Sequence, residues 1–355
     1  MGPLQGVKVV EMAGIGPISF AGMMLADLGA EVTKVERPAG ARAAWGASPV
    51  LDRNRRNREV DLKSPAGVEE VLGLITEAEV LIEGFRPGVM ERLGLGPEEC
   101  LARNPALVFG RMTGWGQSGR YAHTAGHDIT YLAISGALHT VGEPDRKPVP
   151  PVNLLGDFGA GATYLAFGVV SALLHARATG VGQVVDAAIV DGAAAVTGML
   201  HGFLEQGAWR DERGANLLDG GAPFYDTYRC ADGGWVAVGA LEPQFYAALL
   251  EALGMAGDEE IANHLDPATW PTIRARLAAK FAERPRDAWH ELFADSDCCV
   301  APVLSMREAR EDGHVRDRGI FVEVAGMPQP APAPRFSVTE PDAPAPAANP
   351  DARGF

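Results

Sequence analysis

Over the first 115 residues, short apolar runs alternate with segments whose apolar residues recur at helical spacing. Val7–Met12, Glu31–Glu36, Val80–Phe85 and Leu107–Met112 are rich in β-branched residues and too short for helices, so they predict strands. Between them, Pro17–Leu28 predicts a helix, with Pro17 in its first turn and Gly29 just past its end. Ser64 before Pro65 predicts an N-cap and a helix to about Glu77, and shorter helical pieces fall at Pro87–Leu93 and Pro97–Arg103. Buried strands separated by helices predict a parallel sheet with helices on its faces.

Farther on, Gly159–Arg177 reads as a long apolar helix, Gln183–Ala187 as a strand, and the chain to about Leu204 as another apolar helix. The stretch Phe158–Ala176 carries no formal charge and has the length of a membrane span. Its three glycines, Thr163, Ser171 and His175, and the neighbouring Asp157, point instead to a buried core helix with no membrane span. Past Gly220 the pattern changes. Phe224–Arg229, a turn at Asp232-Gly233-Gly234 and Trp235–Val238 predict a hairpin, followed by helices over Gln244–Leu253 and Trp270–Ala282. The expected organisation is α/β: a large domain over 1–190, a linker over 191–221, a smaller α+β domain over 222–312, and a C-terminal segment over 313–355. Its proline-rich part is expected to run extended over the surface.

A length of 355 residues suits two domains, and 47% hydrophobic with 22% charged residues excludes disorder over the whole chain. The net charge of −15 argues against a nucleic-acid or anionic-membrane partner, so an anionic ligand must find a local basic patch. Cys100, Cys230, Cys298 and Cys299 lack any CxxC spacing. Neither a disulfide framework nor a metal site is therefore expected, and with no apolar leader at the N-terminus the expected location is cytoplasmic.

The candidate chemistry is spread along the chain. Gly14-Ile15-Gly16 follows the first strand, but Ser19 stands where a dinucleotide fingerprint has its third glycine, so a nicotinamide site and a plain tight turn both fit. Residues 53–63 hold Arg53, Arg55, Arg56, Arg58 and Lys63 against Glu59 and Asp61, a solvated run or a phosphate site. His127-Asp128 lies beyond a glycine-rich turn. Asp157 begins the long apolar helix, where it serves either as an N-cap or as a base or nucleophile. Glu242 falls between an apolar run and Phe245-Tyr246, as a surface turn or as the partner of another group.

In order, these pieces resemble a family. Leu25-Ala26-Asp27-Leu28-Gly29-Ala30-Glu31-Val32, Glu36-Arg37-Pro38, Glu83-Gly84-Phe85-Arg86-Pro87-Gly88, Ala125-Gly126-His127-Asp128, Asn153-Leu154-Leu155-Gly156-Asp157-Phe158-Gly159 and Asp219-Gly220-Gly221-Ala222-Pro223-Phe224 are similar to the family III CoA-transferase superfamily. Within it the chain most resembles the bacterial α-methylacyl-CoA racemases, from Leu4 to about Pro334. The resemblance implies a Rossmann-like large domain closed by the C-terminal segment, a smaller domain, and an interlocked homodimer. It implies coenzyme A contacts at Arg37, Val60, Asp61, Leu62, Lys63, Gly84, Phe85, Arg86, Arg92, Gly126, Asp128 and Tyr131, and it turns the basic run at 53–63 into an expected phosphate site. It makes His127 and Asp157 the proton-transfer residues, with Glu242 pairing with His127. The implied substrate is a 2-methyl-branched acyl-CoA, whose CoA is part of the substrate, with no separate cofactor and no metal. A transferase of the same superfamily would use Asp157 as a nucleophile instead.

Overall fold

The computed structural model describes residues 2–38 and 48–348, so residues 349–355 of the expected C-terminal segment lie outside it. The described chain divides into two units. One takes the N-terminus through Ala137, Pro151–Thr197 and the chain from His314; the other takes Leu138–Pro150 and Gly198–Gly313.

In the first unit, β1 (Lys8–Met12), β2 (Glu31–Glu36), β3 (Arg56–Glu59), β4 (Val80–Glu83), β5 (Val108–Thr113) and β6 (Gln183–Ala188) form one sheet. Its order is β3-β2-β1-β4-β5-β6, and every neighbouring pair is parallel. This is the doubly wound order, with its switch point between β1 and β4. Between the strands run α1 (Pro17–Asp27), the short α2 (Pro49–Asp52), α3 (Pro65–Glu77), α4 (Val89–Arg92), α5 (Pro97–Arg103), α6 (Asp128–Ile134) and α7 (Thr163–Thr179). Alternation along the strands feeds two apolar layers. Val9, Val80 and Ile82 pack with Ile18, Leu25, Leu165 and Val169 of α1 and α7, while Val10, Met12, Leu81 and Phe109 pack with Val71, Ile75 and Cys100 of α3 and α5. Ser64 caps α3 by accepting the Gly67 N–H at 3.0 Å, as its place before Pro65 predicts.

The stretch Leu154–Thr179 is long and apolar enough to cross a membrane, but Leu165, Ala166, Val169, Ala172, Leu173 and Ala176 of α7 are buried against the sheet. It is a core helix of this unit.

The basic run departs from expectation. Arg53 is buried and donates to both carboxylate oxygens of Asp27 (3.0 and 2.6 Å), to Gln329 and to Pro330 O. Arg55 is buried against Glu11 (2.5 Å) and Ser19 O, and Arg58 pairs with Glu70. These arginines hold the fold and do not form a phosphate site. The reason is topological: residues 56–59 become the edge strand β3, which carries Arg55 back over β1 and β2. The Glu11–Arg55 pair fits only because Gly22 lies beside it; a Cβ there would stand 2.0 Å from Glu11 Oε2. The C-terminal stretch covers the outer edge of β3, with Asn57 N–H donating to Ala348 O (2.9 Å) and Ala348 N–H to Arg55 O (2.8 Å). Before it, β10 (Phe321–Val324) and β11 (Met327–Pro330) make a hairpin that had no signal in the sequence, after the short α13 (Gly313–Asp317).

In the second unit, β7 (Tyr225–Arg229), β8 (Trp235–Gly239) and β9 (Val300–Pro302) form an antiparallel sheet beside α10 (Pro243–Ala252), α11 (Trp270–Phe281) and α12 (Arg286–Phe293). The hairpin is the expected one; β9 and α12 are additions. Residues 191–221, expected as a linker, hold most of α8 (Ile189–Val196), all of α9 (Gly198–Glu205) and a loop gathered around Asp219. That carboxylate accepts N–H groups of Gly214, Asn216 and Gly221 at 2.9, 2.8 and 3.1 Å. Arg213 ties Leu138–Pro150 into this unit by donating to the carbonyls of His139, Glu143 and Arg146.

Removing Arg55 leaves Glu11 as a carboxylate buried without a counter-charge. Arg55→Met is expected to lower stability by about 3–5 kcal/mol, read as a lower midpoint in chemical denaturation. Lys8→Met, which breaks the exposed bridge to Glu77, should leave the midpoint close to the parent's.

Candidate functional site

The carboxyl ends of five parallel strands deliver most of the expected site residues to one edge of the sheet, the edge at which doubly wound folds bind ligands. After β1 comes the Met12–Gly16 turn, closed by Ser19 Oγ donating to Gly14 O at 3.1 Å. Gly16 sits at φ 70°, and a Cβ built on it would lie 3.8 Å from Asp157 Oδ2, so this turn faces that carboxylate. Phe20 and Phe158 stack beside it with ring centroids 4.4 Å apart. The turn is therefore a wall of the Asp157 site, and no third glycine is needed to admit a pyrophosphate there.

After β4, Gly84, Phe85 and Arg86 are held by Glu83, which accepts the Phe85 N–H at 2.7 Å and Arg111 Nε at 2.8 Å. Burial pushes the Glu83 carboxyl up, against the pull of the Phe85 amide and Arg111. Arg111 also reaches Glu91 of α4, next to Arg92. Arg37 follows β2, and Asp61, Leu62 and Lys63 form the turn after β3. Arg37, Lys63, Arg86 and Arg92 are exposed and form no ion pair among the described residues, unlike Arg53, Arg55, Arg58 and Arg111. Four unpaired cations at one sheet edge suit an anion of several charges. Val60 differs: its side chain lies in the core, so only its main chain is available to a ligand.

After β5, Thr113 Oγ1 accepts the Gly116 N–H and leads into the loop to Gly126 and His127. His127 stands just before α6, its N–H donating to Thr130 Oγ1 (3.0 Å) and its carbonyl accepting the Thr130 hydroxyl (2.7 Å). The backbone is fixed while the imidazole is exposed. Tyr131, one turn on, is buried edge-on to Trp115, and its hydroxyl is pushed to about 12 by burial, with Asp157 adding and Arg86 opposing.

Asp157 is not the N-cap of α7. It lies within a π-helical turn, Leu154–Ala162, that runs into α7. Widened turns of this kind displace side chains from the regular helical rows and recur at functional sites. Nor are the amides of Asp157 and Phe158 free to hold an oxyanion. The Asp157 N–H donates to Asp128 Oδ2 at 2.6 Å and the Phe158 N–H to Asn153 O at 3.2 Å. The Asp157 carboxyl is half-buried and pushed up to about 6, first by burial, then by the Asp128 charge, with His127 opposing. Asp128, expected as a coenzyme A contact, is buried with its side chain turned inward to the Asp157 N–H, so like Val60 it offers a ligand its main chain alone.

Glu242 belongs to the second unit, exposed, as the residue before α10. The main chain around it is well anchored. Its carbonyl accepts the Tyr246 N–H at 3.0 Å, and His264 Nε2 lies 3.1 Å from the carbonyl of Leu241, in a ring packed flat on Tyr246. Among the described residues, no cluster of His, Cys, Asp and Glu can hold a metal ion.

Residues 4–352 match the model of CoA-transferase family III. The chain is 44% identical over 337 residues to an alpha-methylacyl-CoA racemase of Mus musculus, covering 95% of this chain and 87% of that protein. It is also 44% identical to the Homo sapiens protein of the same name, covering 93% and 86%. A CAIB/BAIF family protein from Brucella suis superposes with a TM-score of 0.85 at 28% identity, covering 98% of this chain and 97% of that one.

The electrostatics of the site give a direct expectation. Carbon-13 NMR of protein labelled at aspartate carboxyls should show one side chain titrating near pH 6, well above an ordinary aspartate, and that signal should vanish in Asp157→Asn. All aspartates titrating below about pH 5 would contradict the environment described for Asp157.

Proposed function

The chain belongs to CoA-transferase family III, and from that premise we propose that it is a racemase interconverting the (2R) and (2S) forms of 2-methylacyl-CoA thioesters. The carrying observation is its likeness, along nearly the whole chain, to two proteins named alpha-methylacyl-CoA racemase. The site supports the same chemistry. An imidazole and a carboxyl group interact electrostatically there, and inversion by proton exchange requires one base and one acid acting on opposite faces of the α-carbon.

In this reading one of the pair removes the α-proton, leaving an enolate, and the other delivers a proton to the opposite face. His127 and Asp157 take the two roles in turn. Glu242 pairs with His127 and orients its ring. The phosphates and adenosine of coenzyme A lie against Arg37, Lys63, Arg86 and Arg92, with Val60, Asp61, Leu62, Gly84, Phe85, Gly126 and Tyr131 along the same edge. The reaction needs no cofactor beyond the coenzyme A of the substrate. Four free cysteines, three of them buried, fit a cytoplasmic enzyme.

A carboxyl pushed up to about 6 changes protonation state readily near neutral pH, as a residue acting alternately as acid and base must. The two reactive forms, Asp157 ionised with His127 protonated and the reverse, carry the same number of protons. Both directions must therefore share one pH profile.

The second copy has its own support. Phe167 and Leu174 of α7 are 74% and 69% exposed, and Val181 and Val184 lie open at the β6 edge. So much apolar surface on the first unit suits burial against another subunit.

The test is proton NMR of a (2R)-2-methylacyl-CoA in D₂O with no second acid present. Loss of the α-proton signal together with epimerisation is expected; an inert substrate would favour the transferase. His127→Ala and Asp157→Asn should each lower racemisation in both directions by roughly 10²–10⁴-fold, Glu242→Gln by less. The forward and reverse kcat/KM should fall together below about pH 6. Near-normal racemisation by His127→Ala would end the two-base reading. Separately, sedimentation should give a dimer, and a folded monomer persisting at micromolar concentration would remove the homodimer.

A further inference from the structure

We infer that Asp128 is a positioning residue: its buried carboxylate clamps the Asp157 peptide beside His127 and serves as the fixed negative charge of the site. This rests on the reading of His127 and Asp157 as the proton-transfer pair, and goes beyond it in giving their neighbour a task.

Three observations carry it. Asp128 is only 6% exposed, and its Oδ2 accepts the Asp157 N–H at 2.6 Å, a short bond of the charge-assisted kind. Gly156 is the one residue type its neighbour tolerates, because a Cβ there would stand 2.4 Å from the same Oδ2. The second carboxylate oxygen, Oδ1, is buried without a partner that meets hydrogen-bond geometry. A carboxylate desolvated this far destabilises its charged form, and a site tolerates such a group where the charge has a use. Asp128 follows His127 directly in the chain and grips Asp157, 29 positions on. One side chain thus spans both bases.

The groups facing Asp157 are few. Asp128 and His127 act on it from the start of α6, and Tyr131, one turn on, feels both Asp157 and Arg86 of the loop after β4. Among them Asp128 is the only other carboxylate, and it opposes ionisation of Asp157 while His127 assists it. With Asp128 made neutral, Asp157 should ionise at lower pH.

The experiment is the pH dependence of kcat/KM for α-proton exchange of a 2-methylacyl-CoA in D₂O, in the parent, Asp128→Asn, Asp128→Ser and Asp157→Asn. Asp128→Asn keeps an acceptor for the Asp157 N–H and removes the charge. Its acid limb should move to lower pH by about one unit, with the plateau within about tenfold of the parent's, the scale set by one lost charge–dipole contact. Asp128→Ser, whose shorter side chain cannot bridge to the amide, should show the same shift and a further loss in kcat with KM little changed. If Asp157→Asn is inactive while the acid limb of both Asp128 variants stays where the parent has it, the inference fails and the two-base reading stands. If Asp157→Asn retains activity, the reading beneath it fails. Should one Asp128 variant not fold, the limb of the other decides.

Discussion

Carboxylates buried among the parallel strands and the loops that leave them must find partners, because an unpaired charge there costs several kcal/mol, and in this protein the partners are what hold the site. Glu11 on β1 draws in Arg55 and with it the edge strand β3. Glu83 at the end of β4 takes Arg111 from β5 and, with its other oxygen, the amide of Phe85. Asp27 at the end of α1 takes Arg53, which in turn reaches Gln329 and Pro330 from the far end of the sequence. Each pair joins segments distant in the chain, and the Glu83–Arg111 pair lies immediately behind the Gly84–Arg86 loop that carries candidate ligand contacts. Arg37, Lys63, Arg86 and Arg92 form no ion pair among the described residues, unlike these buried arginines.

The same economy governs the candidate reacting groups. Asp157 is held by its main chain, so its carboxyl is left without a strong donor and meets burial and the Asp128 charge. A carboxylate that accepted two or three amides would be locked in its ionised form. This one, without those donors, is pushed up to about 6 by burial and then by the Asp128 charge. The π-helical turn is the device: it frees the Asp157 amide from the regular helical ladder and gives it to Asp128.

Much of the fold was legible in the sequence because its signals are local. Glu31–Glu36, Pro65–Glu77 and Pro97–Arg103 fall where strand composition, capping and Pro at the first turn put them. The strand β3 was hidden because Arg56-Asn57-Arg58-Glu59 has no apolar alternation; its place at the sheet edge comes from parallel pairing with β2 and from buried ion pairs. The fate of Arg53 and Arg55 was unreadable for the same reason, since a charge run states nothing about which members will be paired inside. The hairpin β10–β11 was masked by its prolines. At the site, residue types and order marked His127, Asp157 and Glu242. The inward turn of Asp128 depends on a contact across the fold, which no spacing reveals.

Reaction choice within such a site comes down to where protons rest. Transfer chemistry asks the carboxylate to attack, so a site built for it gains by stabilising the anion with amide donors or a nearby cation. Racemisation asks the same carboxylate to take and return a proton at comparable cost, so it gains by keeping the two forms close in energy. Around Asp157, burial and Asp128 oppose the anion while His127 favours it, and none of the exposed cations is among the groups that act on it. In the proposed reaction those cations serve the phosphates of coenzyme A, and a cation in contact with Asp157 would hold it ionised. Keeping the exposed cations and the candidate proton-transfer pair on separate loops of one sheet edge would let that edge meet both demands.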